Sequence, residues 1–187
     1  RFSKLREHAV PILVPPDYTK GQKEPDAVDQ SRGSLIRLEY PEPEIESGDN
    51  SCFYRQKTSL ENYYEVFVGW KKHGKTGLSG VWTVASNIGK TEADTIRKTA
   101  EESLRRGFSA GLKEHIDWWK EWWERSRIRV PDETLQAHWE RELYKFGSCT
   151  GEGEVPISLQ SVWTADNGQL PPWAGDFHHD LNTQLSY

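Results

Sequence analysis

Residues 81–104, VWTVASNIGKTEADTIRKTAEESL, change period partway along, and the change decides the architecture. Up to Ser86 the run is dense in β-branched and aromatic residues, as strands favour. From Thr91 the spacing turns helical, with Ala93, Ile96, Ala100, Leu104 and Phe108 recurring every three or four residues. TEAD at 91–94 has the form of a capping box, the usual signal of a helix start. Strands therefore precede helices, with the switch near residue 88.

Upstream of the switch, LSGVWTVAS reads as a strand returning from the turn HGKTG at 73–77. The runs SCFYRQKTSL and NYYEVFVGWKK supply two more strands. Between 63 and 70 both faces are apolar, with Tyr64, Val66, Val68 and Trp70 on one and Tyr63 and Phe67 on the other. That pattern predicts burial on both sides, as in layered sheets. LIRLEY at 35–40 alternates Ile36, Leu38 and Tyr40 with Arg37 and Glu39, which predicts a further strand, and PEPEIESGDN at 41–50 breaks it. Residues 34–86 thus read as antiparallel β structure, the last strands of a larger sandwich. Residues 1–33, rich in Pro, Gly, Lys and Asp with a Pro pair at 15 and 16, read as a connecting arm.

Downstream, Gly107 and Gly111 interrupt the helical pattern and predict two helices or one kinked helix. LKEHIDWWKEWWERS places Leu112, Ile116, Trp119 and Trp123 on one face, and IRVPD at 128–132 ends it. A third helix is expected to begin at Asp132, with Leu135, Trp139, Leu143 and Phe146 aligned. Residues 155–187, VPISLQSVWTADNGQLPPWAGDFHHDLNTQLSY, read as a loop with its own aromatics.

The 187 residues are 35% hydrophobic and 12% aromatic, enough apolar material for a core. A net charge of −5, with basic residues scattered among acidic ones, argues against nucleic acid and other anionic polymers as partners. No apolar run approaches the roughly 18–20 residues needed to cross a bilayer, and the first residues lack a signal-peptide apolar region, so no membrane partner is expected. The two cysteines, Cys52 and Cys149, have no partner spacing and read as free thiols. The chain starts with Arg1, contains no Met and ends at Tyr187 inside a polar-aromatic run, which reads as a piece of a longer polypeptide.

Two clusters carry possible chemistry. Trp118, Trp119, Trp122 and Trp123 could stack on sugar rings, but a tryptophan stripe at this spacing more often pins a linker helix between two domains, and that structural role is the expectation. His178, His179 and Asp180 invite a metal reading, yet adjacent side chains diverge by about 100° on a helix or 180° on a strand, so no metal and no cofactor is expected. There is no GxSxG, and the run Gly74, Lys75, Thr76 lacks the leading glycine of a phosphate loop. What remains is the density of planar polar groups beside tryptophans: Gln160, Trp163, Asp166, Asn167, Trp173, Asp176, His179, Asp180, Asn182 and Gln184. Amides and carboxylates that grip vicinal hydroxyls over an aromatic platform make a sugar site; the plainer reading is a polar surface loop.

The run from Val155 to Tyr187 resembles the segment that opens the catalytic domain of glycoside hydrolase family 95, the α-L-fucosidases and α-L-galactosidases. WWKEWWERSRIRVPDETLQAHWERELYKFGSCT before it is similar to the helical join between β-sandwich and toroid in those enzymes, so the resemblance covers roughly residues 91–187. It implies an α+β multidomain fragment: the end of an antiparallel β-sandwich with its connecting arm at 1–88, a Trp-rich helical linker at 89–131, and the beginning of an (α/α)6 toroid at 132–187. It further implies an inverting glycosidase acting on an oligosaccharide or polysaccharide, working with the remainder of the same polypeptide, in an extracellular or periplasmic setting. Two asparagines of the family help hold the catalytic water; they fall on Asp180 and Asn182. Trp163, Trp173, Asp176, His179 and Gln184 would bind substrate.

Asp180 stands where the family has Asn, which supplies a stronger acceptor for water or marks a branch with another sugar preference. Inverting chemistry needs an acid and a base about 6.5–9.5 Å apart with water between them. Two residues apart on an extended segment, Asp180 and Asn182 would face one side and accept the two hydrogens of one water. The acid and base are expected beyond Tyr187. The alternatives from other classes are a non-catalytic carbohydrate-binding module and a related glycoside phosphorylase.

Overall fold

The computed structural model describes residues 10–19, 35–88 and 95–151. Four strands, β1 (Glu44–Gly48), β2 (Ser51–Lys57), β3 (Tyr63–His73) and β4 (Gly77–Ser86), form one antiparallel sheet in chain order. Three helices follow: α1 (Ile96–Arg106), α2 (Phe108–Glu124) and α3 (Glu133–Cys149). The chain is thus an α+β mix in which a sheet precedes helices. The described residues fall into two compact units, one holding 10–18, 38–88 and 95–114, the other 19, 35–37 and 115–151.

In the first unit the register fixes the two faces of the sheet. Phe53 lies opposite Phe67, Arg55 opposite Glu65, and Glu65 opposite Ala85. Side chains alternate along a strand, so these residues share one face, while Tyr54, Tyr64, Val66, Val68, Trp82 and Val84 share the other. Helix α1 covers the first face: Ile96 and Ala100 join Phe53, Phe67 and Ala85 in a buried core, with Val81 packed against it. The second face is less covered, because Val66 and Val68 are half-buried and Trp82 is 74% exposed. The expectation that β3 is buried on both sides holds in part: Phe67 on one face and Trp70 on the other are buried, whereas Tyr63, Tyr64, Val66 and Val68 are half-buried.

Residues 10–18 of the arm, which belong to this unit, are tied to that second face. Cys52 Sγ donates to the Pro11 carbonyl at 3.8 Å, and the Tyr18 and Tyr64 hydroxyls lie 2.9 Å apart. The chain of hydroxyls continues from Tyr64 to Tyr54 at 3.0 Å, and Tyr54 donates to Gln56 Oε1 at 3.0 Å. Gln56 is fully buried, and its amide nitrogen donates to the Pro41 and Lys57 carbonyls, both at 2.8 Å. A buried amide that makes its bonds costs little, whereas one left unmade would cost the full desolvation penalty.

Two expectations upstream are corrected. LIRLEY is not a strand: Leu35–Leu38 is a 3-10 turn, and Glu39 has a positive φ of 52°. Pro41 and Pro43 follow, and proline has no N–H to give a ladder, so alternation alone could not hold these residues in the sheet. Conversely, the supposed break at 41–50 contains β1. All five of its residues are exposed, so no alternating pattern announces it. It is an edge strand held by its ladder to β2 and by charge: Glu44 faces Arg55 at 3.6 Å and Lys57 at 3.8 Å, and Arg97 of α1 reaches Glu46 at 2.7 Å.

Of the two glycines expected to interrupt the helical pattern, Gly107 does so. Gly107, at φ 80°, ends α1, and its N–H donates to the Ser103 carbonyl at 3.0 Å. Only glycine takes such a φ without strain. Gly111 does not interrupt α2. The break at Gly107 moves Phe108 off the α1 stripe, and it is 82% exposed instead of aligned with Ile96 and Ala100. The start signal at Thr91 and the residue Ala93 lie outside the described residues. Helix α3 starts at Glu133, one residue after the expected start, and Asp132 caps it, its carboxylate accepting from Thr134 N at 2.8 Å and Leu135 N at 3.0 Å.

Beside the core, Glu65 is buried to 1% exposure and is held by Arg55, whose Nε donates to Oε1 at 2.6 Å, while Oε2 has no hydrogen-bond partner. Removing the guanidinium would strand a buried carboxylate. Arg55→Ala is expected to lower stability by on the order of 3 kcal/mol, read as a fall in urea midpoint; an unchanged midpoint would mean that the pair holds nothing. The tyrosine network gives a second expected outcome. Burial above all, with hydroxyl neighbours, raises Tyr18 and Tyr64 well above the ordinary value near 10, and burial raises Tyr40 and Tyr54 in the same direction. The folded chain then keeps protons that the unfolded chain releases, so this stability is complete below pH about 10 and is lost as pH rises through the folded values. In an alkaline titration, the late part of the tyrosinate absorbance should rise together with loss of the far-ultraviolet dichroism; complete ionisation before unfolding would contradict the network.

Candidate functional site

The sequence-predicted site residues Trp163, Trp173, Asp176, His179, Asp180, Asn182 and Gln184 lie outside the described residues. The other candidate cluster, the tryptophans of α2, is described in full and belongs to the second unit.

Four indoles within six positions occupy two sides of a helix, because residues three and four apart are neighbours. Trp119 stacks on Tyr144 of α3 with ring centroids 4.8 Å apart at 29°. Trp122 meets Trp119 edge-on at 5.4 Å and Trp123 edge-on at 5.1 Å. Trp123 lies 6.4 Å from Trp139 of α3 at 54°. These separations fall in the range of about 4.5–7 Å in which aromatic pairs attract beyond simple burial. Gly147, buried on α3, makes the contact feasible, since a Cβ there would sit 2.8 Å from Trp122 Cζ2 and 3.1 Å from Trp119 Cη2. Three of the four tryptophans are thus packing residues, a structural role as expected, and the partner they pack on is α3, while Trp118 remains 48% exposed.

Where α2 ends, the connection to α3 opens a groove of about 1110 Å³. Its aromatic walls are Trp123 and Trp139, and Arg127, Arg129, Glu133 and Glu140 contribute charge. Gln136 shapes it: Oε1 accepts from Val130 N at 2.8 Å, and Nε2 donates to Glu140 Oε1 at 2.8 Å and to the Ile128 carbonyl at 3.3 Å. That one amide pins both the extended connection and the first turns of α3. Arg127 Nε donates to the Trp123 carbonyl at 3.4 Å, beyond the end of α2. Two cations and two carboxylates beside two indoles make a wall that can hydrogen-bond and stack but carries no net charge.

Sequence reasoning missed this groove. Its signal lay in RSRIR at 125–129, where Arg125, Arg127 and Arg129 alternate between two tryptophan-bearing helices. Among the described residues no group of three or more metal-ligating side chains gathers, and no helix is long and apolar enough to cross a membrane. Compared with protein-family models, with curated proteins and with solved structures, the chain matches none.

Filling the Gly147 position tests the packing role of the tryptophans. Gly147→Ala is expected to cost about 1–3 kcal/mol by overpacking, seen in thermal or urea unfolding. Trp122→Phe in the same chain should recover part of the loss by vacating the space; no recovery would place the strain elsewhere.

Proposed function

We propose that this chain is part of a carbohydrate-active glycoside hydrolase of the inverting type, similar to the α-L-fucosidases and α-L-galactosidases. The observation that carries the reading is the segment from Val155 to Tyr187, in which two tryptophans alternate with amides, carboxylates and histidines in the order of the family's first catalytic-domain segment. In this reading the sheet is the end of a β-sandwich, α1 and α2 make the linker, and α3 is the first helix of an (α/α)6 toroid. The order of sheet before helices supports that placement, as does a sheet face on which Trp82 and Val84 stand exposed, where a sandwich has a second layer.

The chemistry divides between this chain and further polypeptide. Trp163 and Trp173 would offer platforms to sugar rings, and Asp176, His179 and Gln184 would grip hydroxyls. Asp180 and Asn182 would hold the attacking water and aim its lone pair at the anomeric carbon, one of them accepting one hydrogen while the base carboxylate accepts the other and takes that proton, and an acid carboxylate protonates the leaving oxygen. A charged Asp180 close to the base would disfavour the base's ionised form and raise the pKa of one member of the pair.

In the full polypeptide that carries this chain, Asp180→Ala and Asn182→Ala are expected to reduce kcat on oligosaccharide by on the order of 10²–10³, with circular dichroism unchanged, the scale of losing one preorganised polar contact. Turnover near normal in both variants would remove these residues from the site. Turnover that requires inorganic phosphate and releases a sugar phosphate would replace hydrolysis by phosphorolysis.

A further inference from the structure

We propose that the groove formed by the end of α2, residues 125–131 and the first half of α3 is a binding site for a neutral oligosaccharide. The inference goes beyond the catalytic reading and involves none of the residues 155–187.

The lining selects the ligand class. A polyanion would meet Glu133 and Glu140, a polycation Arg127 and Arg129, so neither gains from a net field. A purely apolar ligand would bury the same four ionic groups without compensation, which disfavours it. A polyhydroxylated neutral ligand satisfies all of them, because each hydroxyl both donates to carboxylate and accepts from guanidinium. The indoles supply the apolar plates on which the C–H faces of a pyranose rest. Trp123 and Trp139, tilted by 54° with centroids 6.4 Å apart, do not lie flat on one another.

The groove is also set up in advance of any ligand. The Gln136 amide is committed to Val130, Ile128 and Glu140, so it fixes the walls and is not itself free to recognise a sugar. Asp132 caps α3 beside it, which holds Glu133 and Gln136 on a formed helix. Among the described residues, Arg129 and Glu133 make no side-chain hydrogen bond or ion pair, and Arg127 uses only Nε, leaving its two terminal nitrogens to a ligand. At about 1110 Å³ the groove is slightly larger than the roughly 300–1,000 Å³ usual for ligand sites, which suits several linked rings more than a monosaccharide.

The test titrates the 187-residue chain with cellohexaose, xylohexaose and mannohexaose, and with polygalacturonate as the anionic control, by calorimetry and tryptophan fluorescence. At least one neutral hexasaccharide is expected to bind, Trp139→Ala to weaken it about tenfold, and Arg129→Ala/Glu133→Ala to weaken it severalfold, with dichroism unchanged. Trp82→Ala, on the sheet of the other unit, should leave affinity as it was. Should Trp139→Ala fail to fold, the double variant at two exposed side chains decides. No binding by any neutral probe, binding by polygalacturonate alone, or affinity indifferent to the groove variants overturns the proposal. Asp180→Ala/Asn182→Ala is expected to keep the groove's affinity, so failure of the groove and failure of the catalytic reading are read from different variants.

Discussion

The contact on which the first unit depends is that of α1 with the sheet, through Ala100. Ala100 has no exposed surface, and its small side chain lets the helix lie close against Phe53 and Phe67. Helices and sheets must bury one face, and here each supplies the other's cover. The same contact recruits polar groups: the Arg97 guanidinium stands 4.4 Å above the Phe53 ring and reaches on to Glu46 of β1. An aromatic face attracts a cation, so the core residue also anchors an edge strand with almost no apolar burial of its own. One helix thereby holds the centre of the sheet by burial and its edge by charge.

The second unit works by another principle. Its interface is made of large flat rings, Trp119 and Trp123 of α2 against Tyr144 and Trp139 of α3. Such a layer needs a matching hollow, and Gly147 provides it. A layer of indoles is stiff, because each has only two side-chain torsions to immobilise, and it fixes where α3 starts relative to the end of α2. The connection between them is then spanned by extended backbone that Gln136 bonds at both Ile128 and Val130. The groove follows from these facts: two helices joined by rings, with a polar strap across one end.

Strands β2, β3 and β4 were legible because aromatic and β-branched residues were concentrated in runs separated by turn formers. The helices were legible from period and punctuation, with Gly107 and Asp132 marking boundaries at the residues where backbone chemistry changes. Residues 35–40 misled because alternation is only a burial pattern, and without a ladder partner it does not make a strand. β1 was invisible for the converse reason: its ladder is made by backbone groups, which every residue carries, and its side chains stay in water. Of the sites, the tryptophan stripe could be read directly from spacing, whereas the groove could not, since Trp123 and Trp139 come from different helices and Arg127 and Arg129 from the connection between them.

By itself, the sequence determined the order of sheet and helices, the helix break at Gly107, the start of α3 next to Asp132 and the packing role of the tryptophans. Each of these is local, set by side-chain volume, backbone freedom or periodicity within a few residues. Tertiary structure alone decided that Glu65 is buried on the arm of Arg55, that Tyr18 closes a hydroxyl chain with Tyr54 and Tyr64, and that Gln136 shapes a groove. Those outcomes depend on partners distant along the chain, whose meeting is governed by register and by the depth at which one element settles on another.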